Sequence, residues 1–144
     1  MSCEFVCLRF EGTNAEKALN GQCSQDVRDL DSTSSKLIAF CNPKGRMFGS
    51  GRLIRDDSLW LLITPASHAE TICKRLRPFM ELARVSMQID DRPVALTREP
   101  LNLGSTHFES VIRVGEHGGT SWLIGGSEND LDAHTLRLEA GLHF

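Results

Sequence analysis

The sequence predicts an α+β domain: a split β-α-β, ferredoxin-like core with a mostly antiparallel sheet, plus a C-terminal hairpin and helix. Three observations predict it. Strand-like apolar runs and helix-periodic segments follow one another in the order β-α-β-β-β-α-β as far as Ile89. Turn-forming clusters, Asn42-Pro43-Lys44-Gly45 and Asp56-Asp57-Ser58, join consecutive strands in the middle of that order. The 144 residues, 40% hydrophobic and 24% charged, suit one domain with a single core.

Residues 5–10, Phe5-Val6-Cys7-Leu8-Arg9-Phe10, read as a strand whose nearly continuous apolar character predicts burial on both faces. Gly12 ends it. Thr13-Asn14-Ala15-Glu16 has the form of a capping box, with Thr13 accepting from the N–H of Glu16 and Glu16 reaching back. Ala15, Ala18 and Leu19 mark the inner face of a short helix that Gly21 stops. A second helical turn is expected over 24–30, with Cys23, Val27 and Leu30 inward, and 31–35 is a polar loop. Strands near 36–41 and 46–55 form a hairpin. Asn42 is pushed to extended backbone by the proline after it, and Gly45 supplies the positive φ a tight turn needs.

Leu59-Trp60-Leu61-Leu62-Ile63 is the next strand. Thr64-Pro65 signals a helix start, with threonine as cap and proline in the first helical position. Ala69, Ile72, Cys73 and Leu76 form one apolar stripe. Lys74, Arg75 and Arg77 fall late in this helix, Pro78 closes it, and 79–83 turn the chain into a half-exposed strand over 85–89. Residues 1–97 are thus expected to form the ferredoxin-like core, with a short strand at 94–96. Residues 98–144 complete or pack on the same domain: a loop over 98–108, a hairpin of 111–114 and 120–124 across Gly118-Gly119, and a helix from Ser127 to Ala140 with Leu131 and Leu138 inward.

Composition excludes several classes of function. A net charge of −3 argues against a general nucleic-acid binder, although Lys44, Arg46, Arg52 and Arg55, and again Lys74, Arg75, Arg77 and Arg84, cluster locally. The five cysteines, at 3, 7, 23, 41 and 73, include no C-x-x-C pair, and the five histidines have no ligand spacing, so neither disulfides nor a metal site is expected. No signal peptide is visible, and no apolar run reaches the roughly 18 residues a membrane span needs. A cytoplasmic setting without a membrane partner is expected.

No catalytic set stands out: G-x-S-x-G, the P-loop and G-x-G-x-x-G are absent. The 41–47 hairpin sets Lys44 and Arg46 beside the N–H groups of a turn, which makes either an anion seat or a charged tip in water. Asp26 and Glu139 flank apolar helical residues. Each is able to take a guanidine-like edge through two parallel hydrogen bonds, or to serve as a cap or solvated face.

Four segments carry a family resemblance. Ala18-Leu19-Asn20-Gly21-Gln22-Cys23-Ser24-Gln25-Asp26-Val27 resembles the F-L-Q-G-Q-x-T-x-D-V segment of the folate-binding YgfZ-like proteins, and Asn42-Pro43-Lys44-Gly45-Arg46-Met47 is similar to their N-P-K-G-R-M hairpin. Arg75-Leu76-Arg77-Pro78-Phe79 resembles their R-L-x-x-F/Y helix end. Thr135-Leu136-Arg137-Leu138-Glu139-Ala140-Gly141-Leu142 is similar to the L-R-L-E-A-G-L run of the related glycine cleavage T-proteins, the aminomethyltransferases. The resemblance implies the T-protein folate-binding fold and tetrahydrofolate as cofactor, with Arg137 at a position that contacts the folate tail. Asn42, Lys44, Arg46, Asp26, Arg137 and Glu139 are the binding candidates.

The sequence departs from that pattern twice. Gly49 and Ser50 stand where the T-proteins carry an acidic pair that includes their catalytic aspartate, so no catalytic residue is assigned. The sequence given stops at Phe144, before the K-G-C-x-x-G-Q-E motif and reactive cysteine of the YgfZ-like proteins. The resemblance implies a folate-binding accessory protein, associated with iron–sulfur enzyme maintenance or tRNA modification, that makes no direct nucleic-acid contact. A folate-dependent aminomethyltransferase and a shortened, non-catalytic interaction module are the alternatives. A homodimer or a partner chain would supply missing pocket walls.

Overall fold

The computed structural model describes residues 5–56, 59–90, 92, 94–97, 101, 104–107, 112–116 and 120–125. The chain runs β1 (Phe5–Glu11), α1 (Ala15–Gln22), β2 (Ser35–Cys41), β3 (Met47–Asp56), β4 (Leu59–Pro65), α2 (Ala66–Leu82) and β5 (Ser86–Asp90). It continues through β6 (Val94–Thr97), β7 (Thr106–His107), β8 (Ile112–Glu116) and β9 (Thr120–Ile124). The first sheet has the order β2-β3-β4-β1-β5, and every neighbouring pair is antiparallel. Strands β3-β4-β1-β5 with the two helices form the expected split β-α-β core, and β2 is the added strand. A second antiparallel sheet, β6-β9-β8-β7, contains the predicted hairpin as β8 and β9.

Strand periodicity sends alternate residues to opposite sides of the first sheet. On one side Leu8, Phe10, Leu53, Trp60 and Leu62 pack with Leu19 of α1 and with Ala69, Ile72, Leu76 and Met80 of α2. On the other, Cys7, Ile54, Leu61 and Ile63 pack with Leu96, Ile112, Val114, Trp122 and Ile124 of the second sheet. The first sheet is therefore the middle layer of three. This is why β1 and β4 read as nearly unbroken apolar runs: each has a core on either side.

Several local signals resolve differently. The capping box does not form: the residue preceding α1 is Asn14, with no side-chain cap bond, and its Nδ2 donates to Ala83 O at 3.0 Å. Glu16 instead pairs with Arg55 at 2.7 Å, so a tertiary partner takes the carboxylate. Gly21 lies within the last turn of α1, and the chain leaves the helix at Cys23. Residues 24–30 make no helix; they are a loop closed by a Leu30 N–H to Val27 O bond, with Val27 and Leu30 buried as expected.

Thr64 belongs to β4 and its hydroxyl donates to Ser50 O at 2.7 Å, so the cap moves to Pro65 and the helix starts at Ala66. Pro78 sits inside α2 rather than closing it; the helix runs on to Leu82, carried by the burial of Met80. The cations at 74, 75 and 77 are consequently mid-helix. Residues 57, 58, 118, 119 and the predicted helix from Ser127 to Ala140 lie outside the described residues.

One polar network crosses the apolar layer between the sheets. Arg52 of β3 donates from Nε to Glu116 Oε1 at 2.8 Å and from Nη2 to Glu116 Oε2 at 3.0 Å. Trp122 Nε1 donates to Glu116 Oε1 at 3.1 Å, and Arg52 Nη1 donates to Ser35 Oγ at 3.0 Å. Arg52 and Glu116 are only 5% and 4% exposed. Glu116→Ala leaves a buried guanidinium without its counter-charge and is expected to lower unfolding stability by about 3–5 kcal/mol in urea denaturation. The paired replacement Arg52→Met with Glu116→Leu is expected to recover most of that loss.

Asp90 closes β5 with a fork to Arg92, Nε to Oδ1 and Nη2 to Oδ2 both at 2.9 Å, and lies 3.7 Å from Arg9. The hydrogen bonds from Arg92 hold its carboxyl below the usual carboxylate range, against a smaller opposing effect of burial. A depressed folded pKa contributes stability above the unfolded value of about 3.9, and loses it as the pH falls through the folded value. Asp90→Asn is therefore expected to melt below the wild type at pH 7, with the gap closing steadily below about pH 4 in a thermal-denaturation series.

Candidate functional site

The 41–47 hairpin is built by Asn42. Its Oδ1 accepts from the backbone N–H groups of Lys44 at 2.9 Å and Arg46 at 3.0 Å. Its own N–H donates to Arg46 O at 2.8 Å, its carbonyl accepts from Gly45 N–H at 2.9 Å, and Gly45 has φ +83°. Asn42 thus occupies the N–H groups of residues 44 and 46, which are not open to an outside anion. The cationic character of the tip rests on the Lys44 and Arg46 side chains, both exposed and without an ion pair among the described residues.

The base of the hairpin is fastened to α2. The pairing of β2 and β3 shifts register between Phe40 and Cys41. Phe48 stacks on Phe40 with centroids 6.0 Å apart, and the Arg75 guanidinium lies 5.9 Å from the Phe48 ring centre. A cation over an aromatic face is attractive, and here it joins two of the motif segments singled out in the sequence.

A third segment lies along the same strand. Ser24 N–H donates to Ala39 O at 2.9 Å, Ala39 N–H donates to Gln25 Oε1 at 3.3 Å, and Cys23 bridges to Phe40. Asn20 Oδ1 accepts from Val27 N–H at 2.9 Å and holds the loop in place. The 18–27 and 41–47 segments, distant in sequence, are therefore neighbours across the edge of β2. Asp26 is engaged within the loop: Arg28 donates from Nε to Oδ1 at 3.0 Å and from Nη2 to Oδ2 at 2.8 Å. These bonds hold its carboxyl well below the usual carboxylate range. The guanidine edge expected for Asp26 is thus supplied by this chain. Arg28 was not singled out in the sequence, although its i+2 spacing from an aspartate in a turn was the available signal.

Gly49 and Ser50 face opposite ways. A Cβ on Gly49 would fall inside contact distance of Ile72 Cγ1 and Cδ1, so α2 closes that position to any side chain. Ser50 lies on the face that carries Arg52; its hydroxyl is buried and has no hydrogen-bond partner. Burial pushes the thiols of Cys7 and Cys23 up to about 12. Cys41 is the exposed cysteine among the described residues, which contain no cluster of metal ligands. Arg137 and Glu139 lie outside the described residues. Among the described residues a cleft of about 380 Å³ lies beside Phe79 and Leu82 and a groove of about 980 Å³ between α2 and β5; the hairpin lines neither of them.

No family model matches the chain. The tRNA-modifying protein YgfZ of Colwellia psychrerythraea is 33% identical over 86 residues, 60% of this chain and 26% of that protein. YgfZ of an Enterobacter species is 32% identical over 93 residues, 65% of this chain and 28% of that protein. The chain thus spans little more than a quarter of the length of the curated relatives it matches. The crystal structure of glycine cleavage system aminomethyltransferase T from Bartonella henselae superposes with a TM-score of 0.77 at 15% identity, over 99% of this chain and 50% of that one. The chain shares the fold of that aminomethyltransferase, and over part of its length it is similar in sequence to the YgfZ proteins.

The packing at position 49 is testable. Gly49→Ala is expected to cost about 1–3 kcal/mol through overpacking against Ile72. Gly21→Ala, in a helical turn with open space around it, is expected to raise stability by up to about 1 kcal/mol. Thermal denaturation of the two variants checks both signs.

Proposed function

We propose that this chain is a YgfZ-like, folate-binding accessory protein tied to tRNA modification, and that it carries out no one-carbon transfer of its own. The observation that carries the second half is Gly49. The position where the T-proteins place acid is filled by Ile72 of α2, and the neighbouring Ser50 turns to the opposite face. Among the described residues no carboxylate is then available at that place to orient a folate nitrogen or move its proton. The superfamily fold alone does not argue for transferase activity, because one fold hosts many chemistries.

The first half rests on the YgfZ relatives and on the assembled motif segments. Tetrahydrofolate carries glutamate carboxylates, and Lys44 and Arg46 are free cations on a hairpin held rigid by Asn42 and by the Arg75–Phe48 contact. Arg137 and Glu139 are proposed to contribute from the T-protein-like run, with Asp26 shaping the adjoining loop through Arg28. A cytoplasmic setting and service to iron–sulfur enzymes complete the proposal. Among the described residues no helix is long and apolar enough to cross a membrane.

Calorimetric titration with tetrahydrofolate tests the reading. Trp60 and Trp122 are each 1% exposed, so heat and thermal shift are the preferred readouts over quenching. Saturable binding is expected, weakened about tenfold by Lys44→Ala with Arg46→Ala, equivalent to about 1.4 kcal/mol. No heat and no thermal shift at millimolar ligand would overturn it.

A further inference from the structure

The two edges of the first sheet are treated differently. The β2 edge is covered by residues 23–25 of the same chain through the Ser24–Ala39 and Gln25–Ala39 bonds. The β5 edge pairs only with β1 among the described residues. It carries no lysine, proline or bulge, three of the devices that keep an open edge from pairing, and its one charge, Asp90, is at the strand end and held by Arg92. Met87 and Ile89 lie on its helix side, opposite Phe10 and Leu8, and Ile89 is 56% exposed. Beside them, the flank of α2 presents Glu70, Lys74 and Arg77 to the groove of about 980 Å³. None of the three has an ion pair among the described residues.

We infer that a second copy of this chain docks on this surface, pairing β5 with β5 of its partner antiparallel about Gln88. The sequence of the edge is self-complementary under that twofold: Met87 of one copy meets Ile89 of the other on the helix side. The charges are self-complementary too. Strands β4 and β5 are parallel, because each is antiparallel to β1, and α2 returns the chain between them. An antiparallel β5 pair therefore sets the two α2 helices antiparallel. Glu70, toward the N-terminal end of the flank, then faces Lys74 and Arg77 of the other copy, and the match occurs twice. An acidic peptide would satisfy the two cations but leave Glu70 facing like charge, whereas a second copy supplies both signs. Backbone pairing of two open edges is a known recognition mode, and alternate side chains filling a groove give it specificity.

Sedimentation of the full chain across a concentration series tests this. A monomer–dimer equilibrium is expected, abolished by Ile89→Lys. Glu70→Lys alone and Lys74→Glu with Arg77→Glu are each expected to weaken the dimer about tenfold or more through twofold like-charge contact. The triple variant carrying all three changes is expected to dimerise again, and an equimolar mixture of the two weakened variants is expected to form a heterodimer. A chain that stays monomeric at all concentrations overturns the proposal and leaves the edge to a different protein. A dimer indifferent to the charge changes, or one not rescued in the mixture, overturns it as well. Circular dichroism of each variant confirms that the surface changes leave the fold intact.

Discussion

A guanidinium from the first sheet meets a carboxylate from the second where both are almost fully withdrawn from water. The Arg52–Glu116 fork, with Trp122 and Ser35 joining its hydrogen bonds, is a buried ion pair between the two sheets in a largely apolar layer. Apolar contacts alone tolerate sliding, since side chains of similar size substitute for one another with modest cost. A bidentate pair has a required geometry, and a half-made one leaves a buried charge unpaired. It therefore sets the register of β8 and β9 over β3 and β4. Because β3 also carries the hairpin at its N-terminal end, the same fork fixes where that hairpin stands relative to the second sheet.

The other side of β3 is governed by absence of side chains. Gly49 and Gly51 let α2 and β4 approach where a Cβ would meet Ile72 on one strand position and the Ile63 carbonyl on the other. The close approach brings Arg75 onto Phe48 and anchors the hairpin. The anchoring of the hairpin thus has its physical origin in the contact of helix and strand without an intervening side chain.

The split β-α-β order, the hairpin with Gly45 at positive φ, and the apolar stripe of α2 were all legible in the sequence. Each depends on local chemistry: strand-length apolar runs, a proline–glycine turn, and residues recurring at helical spacing. The ends of α1 and α2 were not legible. Glu16 had a choice between its own helix start and Arg55, and Thr64 between capping and a strand. In both cases a partner remote in sequence won. Pro78 reads as a stop, yet the burial of Met80 beyond it carries the helix onward.

By itself the sequence determined the strands and the two helices of the first sheet's layer, though not their ends, which residues would form the hairpin, and that positions 49 and 50 are Gly and Ser. Those follow from residue type and spacing, which act over a few positions. Only the tertiary structure decided that Asn42 occupies the turn N–H groups, that Arg28 takes Asp26, and that Arg52 and Glu116 meet across the sheets. It also decided that residues 23–25 shield one sheet edge, while among the described residues β5 pairs on one side only. Hydrogen-bond donors and charges pair with whatever the fold brings within about 3 Å, and chain separation places no limit on that choice.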